Sequence, residues 1–341
     1  MIKEALKKIL RGEVLSSNEV KKIFASFLEN NFSPSLAASF LTALAVRGER
    51  AEEIKVARDV LLAKAIKLNL SKKVRQNLID VCGTGGKAFS TFNVSTLVSF
   101  VLAAGGVYVA KHGNRSFSSL CGSADIMEAW GINIEASPLA VGASIERVGI
   151  GFIYAPLYHP AMRHIAGLRK EIGIRTIFNL VGPLANPALP SFQMVGVYRK
   201  DFTENIAKVL QKTGLKRYYV VWGEGIGDEV SIFGKTKVTT SAKGGIKTFY
   251  LYPSDFGLKK SGLKNIKTKD IKDSLKLAEK VLSARASTAL DVVLANAALA
   301  FVLLKRTSSL KEGVRKSYAL IKSGKVKEKM EELKTFLQSY A

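Results

Sequence analysis

The spacing of apolar residues changes character near residue 70. Before it, hydrophobic positions recur at the 3.6-residue period of amphipathic helices. The chain begins on one such helix, Met1-Ile-Lys-Glu-Ala-Leu-Lys-Lys8, with Leu6, Ile9 and Leu10 sharing a face. Ser16-Ser-Asn-Glu19 has the spacing of a capping box, in which serine and glutamate satisfy each other's backbone N–H groups. It opens a second helix with Val20, Ile23, Phe24 and Phe27 inward. Ser33-Pro34 predicts an N-cap with proline at the first helical position, and Gly48 predicts the end of that helix. A fourth helix is predicted over Ala51 to Ile66. Ala37, Leu41, Leu44 and Ala45 line an apolar face with two open uses: packing within its own domain, or contact with a partner subunit. A bundle of about 70 residues has little core of its own.

From Asn77 the period switches. Apolar runs over 77–82, 107–110, 152–155, 193–198 and 218–222 read as strands. Helical patterns over 94–104, 124–130, 138–148, 160–172 and 203–212 alternate with them. Gly131 and Gly173 stand just past two of those helices, where glycine ends a helix readily. The alternation predicts an α/β fold. A small N-terminal helical domain over 1–70 precedes a larger α/β domain over 71–341, with a central, mostly parallel sheet surrounded by helices. Residues 176–187, with Gly-Pro and Asn-Pro pairs, read as a shaped loop. Residues 236–252 read as short β segments and 259–280 as basic and weakly periodic. Three helices close the chain over 286–306, 310–323 and 326–340.

Composition narrows this picture. Lys and Arg number 52 against 28 Asp and Glu, a formal net charge of +24. That excess favours anionic partners: phosphorylated substrates, nucleic acid, or an anionic membrane surface. Two cysteines far apart, Cys82 and Cys121, give neither a disulfide framework nor paired metal-ligand spacing, which implies a reducing, cytoplasmic setting. Three histidines argue against a histidine-rich metal site. The N-terminus lacks the apolar core of a signal peptide. The longest apolar run, Ala289 to Leu304, is interrupted by Asp291 and Asn296 and falls short of the roughly 20 residues that span a bilayer.

In parallel sheets, ligands sit beyond the carboxyl ends of the strands, and three polar stretches fall there. The first is Gly83-Thr-Gly-Gly86, between a strand and a helix that has Asn93, or Ser95 with Thr96, at its N-terminus. It is either a plain strand-to-helix turn or an anion cradle, in which bare N–H groups and the helix dipole favour negative charge. Neither common nucleotide fingerprint is present, because Ala88 follows Gly86-Lys87. The second is Lys111-His-Gly-Asn-Arg115-Ser-Phe-Ser-Ser119, either a solvated loop or a donor-rich one. In the latter case Lys111 and Arg115 neutralise phosphate oxygens, Ser116, Ser118 and Ser119 add hydroxyls, and Gly113 admits a ligand to the backbone. Ser123 follows as an N-cap or a further anion ligand. The third is Gly227-Asp-Glu-Val-Ser231, whose paired acids suit magnesium, though adjacent acids are also common on surfaces. Arg169 either forks onto a carboxylate in a pocket or joins a surface ion pair. No Ser/His/Asp or Cys/His arrangement stands out. Anion cradles, cations and a magnesium pair suggest group transfer from a phosphorylated donor, by positioning and electrostatics.

Together these motifs resemble the anthranilate phosphoribosyltransferase family. The resemblance rests on Gly83-Thr-Gly-Gly86, Asn93-Val-Ser-Thr96, Lys111-His-Gly-Asn-Arg115, Gly122-Ser-Ala-Asp125 and Tyr158-His-Pro160. It continues in family order through Arg169 with Gly173-Ile-Arg-Thr-Ile-Phe-Asn179, Gly182-Pro183 with Asn186-Pro187, and Asp228-Glu-Val-Ser231. It implies a helical domain that dimerises, joined by a helical segment at about 160–185, and an α/β domain that binds 5-phosphoribosyl 1-diphosphate with magnesium. Donor contacts would come from Gly83, Gly86, Lys87, Thr91, Asn93, Val94, Ser95, Thr96, Lys111, Gly113, Asn114, Ser118, Ser119 and Ser123. Ser95, Asp228 and Glu229 would contact the metal. Gly83, His112, Asn114, His159 and Arg169 would position anthranilate, with Arg169 facing its carboxylate. Lys111 and His112 would support the chemistry without acting as a strong base.

Two positions depart from the family pattern. Lys87 stands where the family usually has aspartate, and Leu120-Cys121 where it tends to have Lys-Ser. Lys87 either takes over neutralisation of the diphosphate or alters the donor site. Two other readings stay open: a nucleic-acid-binding paralogue of the same fold, motivated by the charge, and a transferase with another aromatic acceptor. The intact Asn114, Arg169 and Asp228-Glu229 favour the transferase, and nothing points to a membrane.

Overall fold

A computed structural model describes residues 1–85, 90–115 and 121–340. The expectations for Gly86, Lys87, Ser116, Ser118, Ser119 and Leu120 lie outside the described residues. Helices α1 (Ile2–Leu10), α2 (Ser17–Leu28), α3 (Pro34–Arg47) and α4 (Ala51–Ala63) come first. The short α5 (Lys72–Arg75) leads into β1 (Leu78–Gly83), α6 (Val94–Ala104), β2 (Tyr108–Gly113), α7 (Ser123–Ala129), α8 (Pro138–Arg147) and β3 (Ile150–Tyr154). Next come α9 (Ala155–Tyr158), a 3-10 turn, α10 (Arg163–Ile172) and α11 (Ile177–Leu184). Then follow β4 (Phe192–Gly196), α12 (Phe202–Gln211), β5 (Arg217–Gly223), β6 (Thr236–Ala242) and β7 (Gly245–Leu251). Four helices finish the chain: α13 (Ile271–Leu282), α14 (Thr288–Leu303), α15 (Leu310–Lys322) and α16 (Lys325–Ser339).

The chain divides into two compact units, one made of residues 1–67 and 155–187, the other of 68–154 and the chain from Ala188 on. In the helical unit the capping box forms as its sequence predicts. Ser16 N donates to Glu19 Oε2 at 2.9 Å, and Glu19 N donates to Ser16 Oγ at 3.3 Å. The core is a cluster of rings: Phe178 of α11 lies 5.4 Å from Phe24 and 6.3 Å from Phe27. This burial accounts for a correction. Residues 177–184 form a helix, not a loop, although Pro183 lies inside it. Ile177, Phe178, Leu180, Val181 and Leu184 are buried, and packing of that apolar stripe outweighs one lost backbone bond.

Three smaller expectations also change. Leu10 is 74% exposed, because the buried face of α1 runs through Ile2, Ala5 and Ile9. Ser33 precedes α3 but makes no side-chain cap bond; its hydroxyl pairs with that of Ser35 at 3.0 Å. Ala37, Leu41 and Leu44 are fully buried within the chain itself, and Ala45 is half-buried.

In the α/β unit the seven strands run in the order β3-β2-β1-β4-β5-β6-β7. The first five are parallel, and β6 and β7 add an antiparallel hairpin at one edge. The long apolar helix α14 is buried along nearly its whole length and packs on α6 and α15. The basic stretch 259–280, weakly periodic by sequence, contains a 3-10 turn over Leu263–Ile266 and most of α13. Among the described residues no helix is long and apolar enough to cross a membrane.

Candidate active site

The parallel strands β1, β4 and β5 all end on glycine: Gly83, Gly196 and Gly223. Gly83 and Gly196 are direct partners in register. These glycines are needed because the acidic loop lies directly on them. A Cβ on Gly196 would overlap the Asp228 backbone, standing 2.8 Å from its Cα. A Cβ on Gly83 would stand 3.0 Å from Asp228 Cγ, and one on Gly223 would stand 2.9 Å from Ser231 Cβ. The distances at Gly196 and Gly223 are too short for real side chains and the one at Gly83 is tight, so bare backbone lets the loop approach.

The loop is then held from both sides. Gly85 N donates to Asp228 Oδ2 at 2.8 Å, tying the glycine turn to the acidic pair. From below, the fully buried Asn296 of α14 accepts from Val230 N at 2.9 Å and donates to Val230 O at 3.3 Å. Ser231 Oγ donates to Glu224 O at 2.6 Å. Asp228 and Glu229 are both buried. Among the described residues no group of three His, Cys, Asp or Glu gathers as a self-sufficient metal site. A carboxylate pair of this kind fits magnesium, which takes its remaining ligands from water and substrate phosphates.

The glycine turn leaves β1 through Thr84, whose N–H donates to Gly196 O at 2.9 Å. Gly85 has φ +66, a left-handed conformation that favours glycine. Beyond the turn, Thr91 bridges to Lys267, and α6 begins at Asn93. The Asn93 side chain does not cap the helix. It donates to Cys121 O at 3.3 Å and accepts from Cys121 Sγ at 3.4 Å. The start of α6 therefore has no side-chain cap. Ser95 is half-buried there, and the Thr96 hydroxyl is buried with no hydrogen-bond partner among the described residues. Val94 offers less than expected: its side chain is core, and its N–H already bonds Phe92 O at 2.9 Å.

The second polar stretch needs correction. Lys111 and His112 are not in a loop; β2 continues through Gly113, paired with Phe152, Ile153 and Tyr154 of β3. Both side chains are buried, and Lys111 Nζ donates to His112 O at 2.9 Å. Behind them Asp80 is fully buried and accepts from His112 N and Gln193 Nε2, each at 3.4 Å. Cys82, next to this cluster, has its thiol pKa pushed up, first by burial and then by the Asp80 charge. Arg115 is committed to α7, with Asp125 at 2.8 Å and Glu128 at 2.9 Å. Ser123 is the first residue of α7, not its cap, which is Gly122. The Ser123 hydroxyl accepts from Asn114 N at 3.2 Å and donates to Asn114 O at 3.3 Å, and it leaves no room for a Cβ at Gly113. Asn114 is exposed.

His159 and Arg169 belong to the helical unit. His159 is 4% exposed, and burial lowers its pKa to about 4, so it is neutral at pH 7. Arg169 lies over the Phe178 ring, 5.4 Å from its centroid. Burial lowers its pKa to about 10. A poorly hydrated guanidinium on an aromatic face suits a carboxylate-bearing aromatic ligand.

Comparison with known proteins bears on this geometry. A model of the glycosyl transferase family's a/b domain matches residues 75–327, and one of that family's helical bundle domain matches residues 3–65. The anthranilate phosphoribosyltransferase of Persephonella marina is 44% identical over 338 residues, covering 98% of this chain and 99% of the relative. The chain belongs to this family. The enzyme of the same name from Acetivibrio thermocellus is 40% identical, covering 100% of this chain and 98% of that one. Among solved structures, anthranilate phosphoribosyltransferase from Thermus thermophilus is 39% identical with a TM-score of 0.89, covering 98% and 99% of the two chains. The Saccharomyces cerevisiae enzyme, in complex with PRPP and Mg, is 29% identical with a TM-score of 0.88, covering 99% and 98%.

Two contributors to this edge of the sheet escape a motif search. Asn296 sits in the most apolar helix of the chain, where a lone polar residue reads as a mere interruption. The strap from Ser261 to Thr268, which bonds both Ile232 O and Ser90 O, lies in a stretch that reads as solvated. A polar residue buried in an apolar helix is the one signal that pointed to the first.

Proposed function

We propose that the protein transfers the phosphoribosyl group of 5-phosphoribosyl 1-diphosphate to the amine of anthranilate. The products are N-(5-phosphoribosyl)anthranilate and diphosphate, and the step belongs to tryptophan biosynthesis. The observation that carries this reading is the buried Asp228-Glu229 pair laid on strand-end glycines and tied to the glycine turn through Gly85 N. A nucleic-acid binder has no use for two buried carboxylates at such an edge.

In this reading the backbone of Gly83 to Gly86 and the start of α6, with Thr91, Asn93, Ser95 and Thr96, bind the donor's phosphates. Asp228, Glu229 and Ser95 would hold magnesium, which would supply positive charge to the leaving diphosphate. Lys111 adds buried positive charge, and Ser118, Ser119 and Ser123 complete the donor contacts. Arg169 binds the anthranilate carboxylate, and Gly83, His112, Asn114 and His159 are the further residues proposed for the acceptor. The aniline nitrogen is already neutral at pH 7 and needs no strong base. A neutral His159 fits that requirement, since it adds no charge near the amine. The bond from ribose C1 to diphosphate breaks as the C1–N bond forms, through a transition state with oxocarbenium character, and the nitrogen then sheds one proton to solvent.

The protein works in the cytoplasm as a homodimer through its helical unit. Exposed Leu10, Val14 and Val46 support that contact, and sedimentation of the native chain against Val46→Glu checks it. The activity is tested by magnesium-dependent loss of anthranilate fluorescence with both substrates present. Absence of turnover across a broad magnesium range overturns the assignment, and turnover only with other aromatic amines redirects it. Lys87→Asp beside the native chain shows whether Lys87 changes the magnesium requirement.

A further inference from the structure

The segment from Ser261 to Thr268 joins two parts of the sheet's carboxyl edge that are far apart in sequence. At one end Ser261 N donates to Ile232 O at 3.0 Å, just beyond the acidic pair. At the other end Thr268 N donates to Ser90 O at 3.0 Å, and Lys267 pairs with Thr91 as an antiparallel bridge. In between, a 3-10 turn rests on α14, where Asn265 Nδ2 donates to Thr288 Oγ1 at 3.4 Å. Leu263 packs against Gly225, so that a Cβ there would stand 3.1 Å from Leu263 Cδ1. Ile266 and Thr268 are buried, while Lys267 between them is exposed. The alternation fixes the backbone at Lys267 and leaves its ammonium outside the core.

We infer that Lys267 is a donor-binding residue, a cation that contacts the anionic groups of the phosphoribosyl donor where the chain passes from the glycine turn to α6. The inference rests on the proposed function. Its physical ground is placement. Lys267 is bridged, backbone to backbone, to a residue of the anion cradle, and is held there by two buried neighbours. The anchored backbone fixes where the lysine side chain starts, and a bond from its ammonium to a phosphate oxygen belongs to the strong, charge-assisted class. It also gives part of the +24 charge a local use.

The test uses the full chain with magnesium. Lys267→Ala should raise the donor KM about tenfold, the size of one charge-assisted hydrogen bond, with kcat and the anthranilate KM changed by no more than about twofold. Lys267→Arg should stay near native, and so should Lys280→Ala, an exposed lysine on α13. Calorimetry with magnesium and inorganic diphosphate, without acceptor, should show the same tenfold weakening for Lys267→Ala. If the native chain neither binds diphosphate nor turns over, the proposed function fails. If the native chain binds and Lys267→Ala binds equally well, only the assignment of Lys267 fails. A fall in thermal midpoint with unchanged diphosphate affinity assigns Lys267 a purely structural role and overturns the inference.

Discussion

In the α/β unit, the polar groups of the site rest on backbone. In the helical unit they are sunk among rings and aliphatic side chains. Asp228 is positioned by the N–H of Gly85 and by glycines that present bare main chain, and Val230 by a side-chain amide reading both of its backbone groups. Arg169, by contrast, lies on Phe178, and His159 is buried to 4% exposure. Under the proposed function, the difference follows from the ligand proposed for each unit. A highly charged, metal-bound donor needs many fixed dipoles at close range, which strand ends and helix starts supply. A small aromatic acid needs one desolvated cation and an apolar wall, which packed helices supply.

The comparison breaks most sharply at Gly196. Gly196→Ala forces the Asp228 backbone away and should lower kcat/KM by about 10²–10³-fold, the scale for losing a preorganised electrostatic group. Overpacking of this kind should also cost about 1–3 kcal/mol of stability, read by denaturant unfolding. Near-native kinetics in that variant would mean that the loop has freedom the contacts deny it.

On the helical side, Arg169→Ala should raise the anthranilate KM by about 10–100-fold, while affinity for inorganic diphosphate stays native. Burial lowers the Arg169 pKa without discharging a guanidinium near neutrality, so the anthranilate KM should stay flat between about pH 7 and 9, and a steep rise there would argue against the assignment.

His159 gives a smaller effect, one that depends on pH. Its pKa is about 4 in the fold and 6.5 when unperturbed, so between those values the unfolded chain binds more protons. Stability is complete above about 6.5 and falls as pH is lowered towards 4, by about 3 kcal/mol at roughly 1.36 kcal/mol per pKa unit. His159→Asn should flatten that part of the urea-midpoint profile. The smallest change is at a cap: Ser16→Ala should cost about 1 kcal/mol in the helical unit without altering either KM.

Much of this was legible in the chain. The span of α6 matches its apolar run residue for residue, and the Ser16–Glu19 capping box forms as its spacing predicts. The glycine and acid motifs lie within a few residues of a strand's carboxyl end, as the alternation of strands and helices predicts. Other features were hidden for particular reasons. Lys111 and His112 look like loop residues by polarity, yet β3 offers partners that draw them into a strand. Arg115 looks like a phosphate ligand until α7 brings Asp125 and Glu128 against it. Residues 177–184 carry a Gly-Pro pair that reads as a turn, and only the phenylalanine cluster makes them helical.

The sequence by itself determined the local periods: which stretches coil, which extend, and where glycine, hydroxyl and acid residues interrupt them. Those depend on a residue and its near neighbours, through backbone sterics and the burial of one face. The tertiary structure alone decided which distant groups share an environment. It set the acidic loop on three strand-end glycines, brought Asn296 beneath Val230, and carried Lys267 to Thr91. Hydrogen bonds and charges act over a few ångströms of space, whatever the separation along the chain, so no local pattern encodes those meetings.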